Sequence, residues 1–100
     1  MKTLTLILLF LSISLNIFAI SREEEKFLNA AEKGDIEEIK SILEKNRNLN
    51  INTKDKNNNT ALIFSSAFGH SDIVELLIDK GANIEFKNKN QKVFAEYFFI

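Results

Sequence analysis

The chain has 100 residues, with 13 basic and 14 acidic side chains and a formal net charge of −1 at pH 7. That length supports one small domain, and the near-neutral charge gives no general attraction to polyphosphate, so nucleic acid is not an expected partner. With no cysteine in the chain, disulfides, thiolate zinc sites, a cysteine nucleophile and lipid attachment at a cysteine are all excluded.

Met1-Lys2 is followed by an apolar run, Leu4 to Ile20, interrupted by Thr5, Ser12, Ser14 and Asn16 and ending in the small residues Ala19 and Ser21. A short positive start, a long apolar stretch and a small-residue boundary predict a secretory signal peptide over 1–21. Cleavage after Ser21 puts Ala19 at the minus-three position; cleavage after Ala19 is the alternative. The rival reading keeps the segment as an N-terminal anchor, since ~17 apolar residues lies at the short end of what spans a bilayer. The expected location is therefore secreted or periplasmic, or membrane-anchored if 1–21 is retained. Lys2 is the only charged residue of this leader, so the remainder carries twelve basic side chains against fourteen acidic ones.

Ser21 is placed to cap a helix whose first turn holds Glu23, Glu24 and Glu25, where acids favour the positive end of the helix dipole. Phe27, Leu28, Ala30 and Ala31 give it an apolar side, and Gly34 ends it. Asp35, with Glu38 three residues on, has the spacing of a capping box. The second helix that follows carries Ile36, Ile39, Ile42 and Leu43 as one stripe. It should end at Asn46 in the left-handed conformation, which Asn tolerates next best after Gly. The Asn-rich segment from Arg47 to Asn59 reads as a loop with at most two extended residues either side of a turn. Thr60 then caps a third helix with Leu62, Ile63 and Phe64, ending at Gly69. A fourth runs to about Lys80 with Ile73, Val74, Leu76, Leu77 and Ile78 inward and Asp72, Glu75 and Asp79 outward, and Gly81 ends it.

The two halves superimpose with Gly34 on Gly69, Ile39 on Val74, Ile42 on Leu77, Leu43 on Ile78 and Asn46 on Gly81, an offset of 35. The loop with Thr53, Lys54 and Asp55 recurs as Glu85 to Asn88 at an offset of 33, so two extra residues lie between Arg47 and Asn52. A period of this size, with two helices and a loop per unit, predicts a stacked repeat protein.

Asp55 to Lys87, 33 residues, resembles one ankyrin repeat: the family's Asp, Thr, Leu, Gly-His, Ile-Val, Leu-Leu and Gly-Ala-Asn positions are met by Asp55, Thr60, Leu62, Gly69-His70, Ile73-Val74, Leu76-Leu77 and Gly81-Ala82-Asn83. Leu28 to Asn46 resembles the half-polar first repeat with which such arrays often begin, and Asn88 to Ile100 resembles the start of a third. The resemblance implies an all-α, ankyrin-type solenoid of helix-turn-helix repeats with short β-hairpin-like loops. About two and a half repeats are expected, over roughly 22–54, 55–87 and 88–100.

The departures are specific. The family's Thr-Pro-Leu-His is Thr60-Ala61-Leu62-Ile63 here, which removes the proline that pre-sets the first helical turn and the histidine that ties neighbouring repeats together. The glycine before the Thr is Asn58 in the second unit and Gln91 in the third, and the third tetrapeptide reads Val93-Phe94-Ala95-Glu96. About three repeats are needed for a stable stack, so this array should be marginal. Phe94, Tyr97, Phe98, Phe99 and Ile100 would cover its open end if the last helix packs, and would otherwise form an exposed apolar patch.

Chemistry finds little foothold. Asp55, Asn57 and Asn59 match the opening of a calcium loop, but the sixth position is Thr60 instead of Gly and the twelfth is Ser66 instead of Glu. His70 is the only histidine and has no placed nucleophile; in the repeat it belongs to the turn between helices. The acids of Glu23–Glu25 and Glu37-Glu38 read as solvated helix faces. No enzyme activity, metal or cofactor is expected.

A binding surface remains. In the family, partners are contacted by the loop tips and the exposed side of each first helix. Carried over, those positions are Glu32 and Lys33 in the first unit, Lys56, Asn57, Asn59, Ala67 and Phe68 in the second, and Lys89, Asn90 and Lys92 in the third. Phe68 is a large aromatic at a position the framework leaves free. Lys54, Lys56, Lys87, Lys89 and Lys92 give the loops a basic edge that suits a protein partner with an acidic patch. The function these readings imply is an exported adaptor for protein–protein interaction; the alternatives are a truncated piece of a longer array and a membrane-anchored binding module.

Overall fold

The computed structural model describes residues 22–98 of the chain, and the side chains of 22–97. The leader 1–21, the cap expected at Ser21, the side chain of Phe98, and Phe99 and Ile100 lie outside the described residues. Five helices form among the described residues: α1 over 22–33, α2 Ile36–Lys45, α3 Ala61–Ala67, α4 Ser71–Asp79 and α5 Phe94–Phe98. They make two helix pairs, α1–α2 and α3–α4, followed by the first helix of a third unit. This is the expected all-α stack of about two and a half repeats.

Local chemistry sets the boundaries. The Asp35 carboxylate accepts from the Glu38 backbone N–H at 3.1 Å, and the Thr60 hydroxyl accepts from the Ile63 N–H at 3.2 Å, so each helix start has a donor satisfied by its cap. At the end of α2, Asn46 keeps a negative φ of −124° instead of the left-handed turn that its residue type suggested. Its side chain explains the difference: Nδ2 donates to the Ile42 carbonyl at 3.2 Å and to Glu23 Oε2 at 3.5 Å, while its backbone N–H also donates to Ile42 O. The freed carbonyl at the helix end is thus satisfied by an amide side chain, and no reversal of backbone handedness is needed.

α3 lies at the centre, packed against α4 within its own unit and against α5 of the next, while α2 packs on α4. Phe27, Ala31, Ile39, Leu62, Ile73, Val74 and Leu77 are buried between them, and Phe94 of α5 joins the same core. The last helix therefore packs, and of its described aromatic side chains Phe94 is buried and Tyr97 half-buried. Ser65 and Ser66 are buried too, their hydroxyls returned to the Leu62 carbonyl, which makes them small enough and polar-satisfied for helices to approach closely.

Two residues of α4 differ from the sequence reading. Ile78 is 41% exposed and Leu76 only half-buried, although both were expected to face inward. Ile78 sits about 100° around the helix from the buried Leu77. Its counterpart Leu43 in α2 is half-buried because α4 lies beside it, and among the described residues no helix lies on the corresponding side of α4.

The loops repeat their hydrogen bonding more faithfully than their sequence. Asp55 Oδ1 accepts from the N–H groups of Asn57 (2.8 Å) and Asn59 (2.9 Å); Asn88 Oδ1 accepts from Asn90 (2.9 Å) and Lys92 (3.1 Å). The backbone bonds Asp55 N to Asn59 O and Asn58 N to Asp55 O recur as Asn88 N to Lys92 O and Gln91 N to Asn88 O. Both loops are turns; none of the described residues is in a strand. Asn58 and Gln91, which stand at the glycine positions, are the only non-glycine residues with positive φ among those described, at 61° and 63°. A left-handed non-glycine residue costs roughly 1–2 kcal/mol, less for Asn, whose side chain bonds locally. Gln91→Gly should accordingly raise stability by about 1 kcal/mol, about 4–8 °C in Tm, and Asn58→Gly by less, in thermal unfolding followed by circular dichroism. An unchanged or lowered Tm for Gln91→Gly would contradict the strained turn.

Candidate functional site

The expected recognition residues fall into two groups at opposite ends of α3, about 10 Å apart for a seven-residue helix. At its C-terminal end are Ala67 and Phe68, to which His70 links Glu32 of α1, while Lys33 lines a shallow hollow with Asp35 and Glu38; Ala67, Phe68, Glu32 and Lys33 are all exposed, Phe68 by 57%. Before its N-terminus lie Lys56, Asn57, Lys89, Asn90 and Lys92, all exposed, and Asn59, half-buried.

His70 joins the first group together. It precedes α4, and its ring reaches across to the first unit, where Nε2 lies 2.9 Å from the Glu32 carbonyl oxygen. A carbonyl only accepts, so the ring must carry its proton on Nε2. The ring also fills the space over Gly34: a Cβ placed there would stand 2.6 Å from two ring atoms, and Gly34 has φ +81°. On its other flank the Phe68 ring lies nearly parallel, centroids 6.5 Å apart at 17°. The inter-repeat tie lost with Ile63 is thus supplied from seven residues further on. The sequence placed His70 in the turn between helices, as found, but gave no sign of the bond to Glu32, because that contact depends on how two units stack.

The second group is laced across neighbouring loops. Lys89 N–H donates to the Asn57 carbonyl at 2.9 Å, and Asn88 Nδ2 donates to Asn59 Oδ1 at 3.0 Å and to the Tyr97 hydroxyl at 2.8 Å. Asn59 therefore holds loops together, whereas Lys56, Asn57, Lys89 and Asn90 point their side chains at solvent. Two lysines of the basic edge stand over rings, Lys54 4.0 Å from the centroid of Phe86 and Lys92 5.5 Å from that of Tyr97. Such contacts hold the ammonium groups in place and leave their charge available. The carboxylate of Asp55 is committed to its own turn. Glu24 Oε2 accepts from the Thr53 hydroxyl at 2.9 Å, and Glu23 from Asn46, so two acids read as solvated helix surface instead fasten the first helix to the chain that follows. Among the described residues no three acids, histidines or cysteines gather as a metal cage would require.

A stack of short helix pairs, each followed by an Asx-braced loop, agrees with what comparison with known proteins returns. The family model for ankyrin repeats in many copies matches residues 27–78. The chain belongs to the ankyrin repeat family. It is 37% identical over 79 residues, 79% of its length, to an E3 ubiquitin-protein ligase of Arabidopsis thaliana. It is also 39% identical over 62 residues, 62% of its length, to short transient receptor potential channel 3 of Rattus norvegicus. The chain spans only 16% of the plant ligase and 7% of the channel. Among solved structures, a chain in the complex of a predatory endopeptidase from Bdellovibrio bacteriovorus with an immunity protein matches with a TM-score of 0.68 and 30% identity. That match covers 73% of this chain and 37% of the other. Ankyrin repeats are non-catalytic interaction modules that bind protein partners.

Proposed function

We propose that this ankyrin-repeat chain is an exported adaptor that binds a protein partner reversibly through its loop tips and the inner side of its first helices, with no catalysis of its own. The observation that carries this reading is Phe68: an aromatic side chain 57% exposed, beside a histidine that is itself fixed to the neighbouring repeat. Exposed aromatics on a rigid support are the usual anchors of binding energy, because little conformational entropy is lost when they are covered. The lysines at the other end of α3, positioned over Phe86 and Tyr97 or exposed at the loop tips, favour an acidic rim on the partner. The structural neighbour is part of a complex between an endopeptidase and an immunity protein, which supports an enzyme as one kind of partner. Export rests on the apolar run and Ala19-Ser21 boundary at the N-terminus.

Pull-down from the source organism's envelope and medium with the full chain tests the reading. Phe68→Ala should weaken capture at least tenfold, on the scale of an interface hot spot, with unfolding temperature nearly unchanged. Capture should also fall steeply as salt is raised. Undiminished capture by Phe68→Ala would remove that residue from the site, and a mature N-terminus still at Met1 in the culture fractions would rule out cleavage.

A further inference from the structure

The two residues that break the repeat spacing build a surface that the loop-tip reading does not use. The chain takes nine steps from Asn46 to Asp55 but seven from Gly81 to Asn88, the equivalent positions. The difference is an added turn closed by Leu49 N to Asn46 O at 3.0 Å, with Arg47 and Asn48 at its corners, before the turn closed by Thr53 N to Asn50 O at 3.0 Å. This turn walls one side of a groove of about 630 Å³ on the α2–α4 side of the stack.

The groove has an apolar floor of Leu43, Leu49, Ile51 and Leu76, all half-buried. Around it stand Lys40, Arg47 and Lys80, each exposed, against the single acid Glu44. Lys40 is held by Glu37 only at 3.9 Å, with both groups largely in solvent, a pairing worth little. Neither Arg47 nor Lys80 is in an ion pair among the described residues. A cationic rim over aliphatic floor, on a chain whose charged residues are otherwise slightly acidic in excess, calls for an occupant of opposite charge with apolar side chains between its charges. The volume lies within the roughly 300–1,000 Å³ range of clefts that bind small ligands.

We infer that this groove is a second docking site, for a short acidic peptide segment of a partner protein carrying leucine-sized anchors. The segment seats its aliphatic side chains on Leu43, Leu49, Ile51 and Leu76 while its carboxylates meet Arg47, Lys80 and Lys40. The site is independent of Phe68, which lies in the turn after α3, so a partner could engage both sites or either one.

Fluorescence anisotropy of the full chain with a labelled peptide of alternating glutamate and leucine tests the assignment, with polyglutamate and an alternating lysine–leucine peptide as controls. Binding of the glutamate–leucine peptide should weaken at least tenfold in Arg47→Glu/Lys80→Glu and stay unchanged in Phe68→Ala. Polyglutamate should bind more weakly for want of anchors. Both substituted residues are exposed, and unchanged helical circular dichroism confirms that the variant is folded. If it is not, Arg47→Ser alone, at a turn corner, should still weaken binding several-fold. Equal affinity of wild type and charge-reversed variant, equal binding of the lysine–leucine peptide, or binding to phosphatidylserine vesicles without binding to the peptide would each overturn the proposal.

Discussion

Replacing Phe27 by alanine should cost about 3–5 kcal/mol of unfolding free energy, the range found when a fully buried phenylalanine is truncated. Phe27 in α1 has no exposed surface and is the largest fully enclosed side chain among the described residues. Its removal leaves a cavity in the core that the first helix shares with Ile39, Leu62 and Ile73. At roughly 0.05–0.15 kcal/mol per residue a domain of this size has a total stability of about 4–12 kcal/mol, so the loss takes a large share of it. Thermal or urea unfolding of the full chain should lose its cooperative transition or shift it to far lower temperature. Phe68→Ala makes the matching control, since truncating an exposed ring should move stability by less than about 0.5 kcal/mol. Similar unfolding temperatures for the two variants would mean that α1 does not pack as described.

Gly34→Ala should destabilise by about 2–3 kcal/mol, from two sources. The backbone there is left-handed at φ +81°, which costs an L-residue roughly 1–2 kcal/mol. The added Cβ also meets the His70 ring at 2.6 Å, and pushing the ring away gives up its bond to Glu32, worth about 0.5–1.5 kcal/mol. Because the second source needs the ring, the two substitutions should not add. Gly34→Ala in a His70→Ala background should cost about 1 kcal/mol less than in the wild type. Strict additivity in a double-mutant cycle by urea denaturation would show that the histidine does not brace the glycine turn. If Phe68 depends on His70 for its setting, His70→Ala should also weaken partner capture, in the same direction as Phe68→Ala.

Part of this was legible before any coordinates. The α2 stripe Ile36, Ile39, Ile42, Leu43 and the caps Asp35 and Thr60 are local signals, read from spacings within one helical turn, and the core residues Ile39, Ile42, Ile73, Val74 and Leu77 are buried as the stripe required. The repeat register predicted which loops would match, and it located the two additional residues. The misreadings share a cause. Asn46 was assigned by residue type, but its amide found Glu23 on another helix. The apolar pattern of α4 places Ile78 in the interior, but its equivalent Leu43 is half-buried against a neighbour that Ile78 lacks among the described residues. Gln91 and Val93 suggested that the third unit had lost its pattern, yet Asn88 reproduces the bonding of Asp55 because a carboxamide oxygen accepts the same backbone donors as a carboxylate.

By itself, then, the sequence determined the helices, the caps Asp35 and Thr60, the repeat period and the family resemblance, all of which depend on residues a few positions apart or on identities at fixed offsets. Only the tertiary structure decided how the units are fastened and which surfaces remain. His70 reaches Glu32 across 38 positions, Asn83 reaches Asn52 across 31, and Asn88 reaches Asn59 across 29. The added turn after α2 was visible as an offset, but its meaning as a groove wall appeared only once Leu76 and Lys80 of the next unit stood opposite it. The physical reason is that hydrogen-bond partners and shared cavities between stacked units are set by packing geometry, which periodicity constrains without specifying.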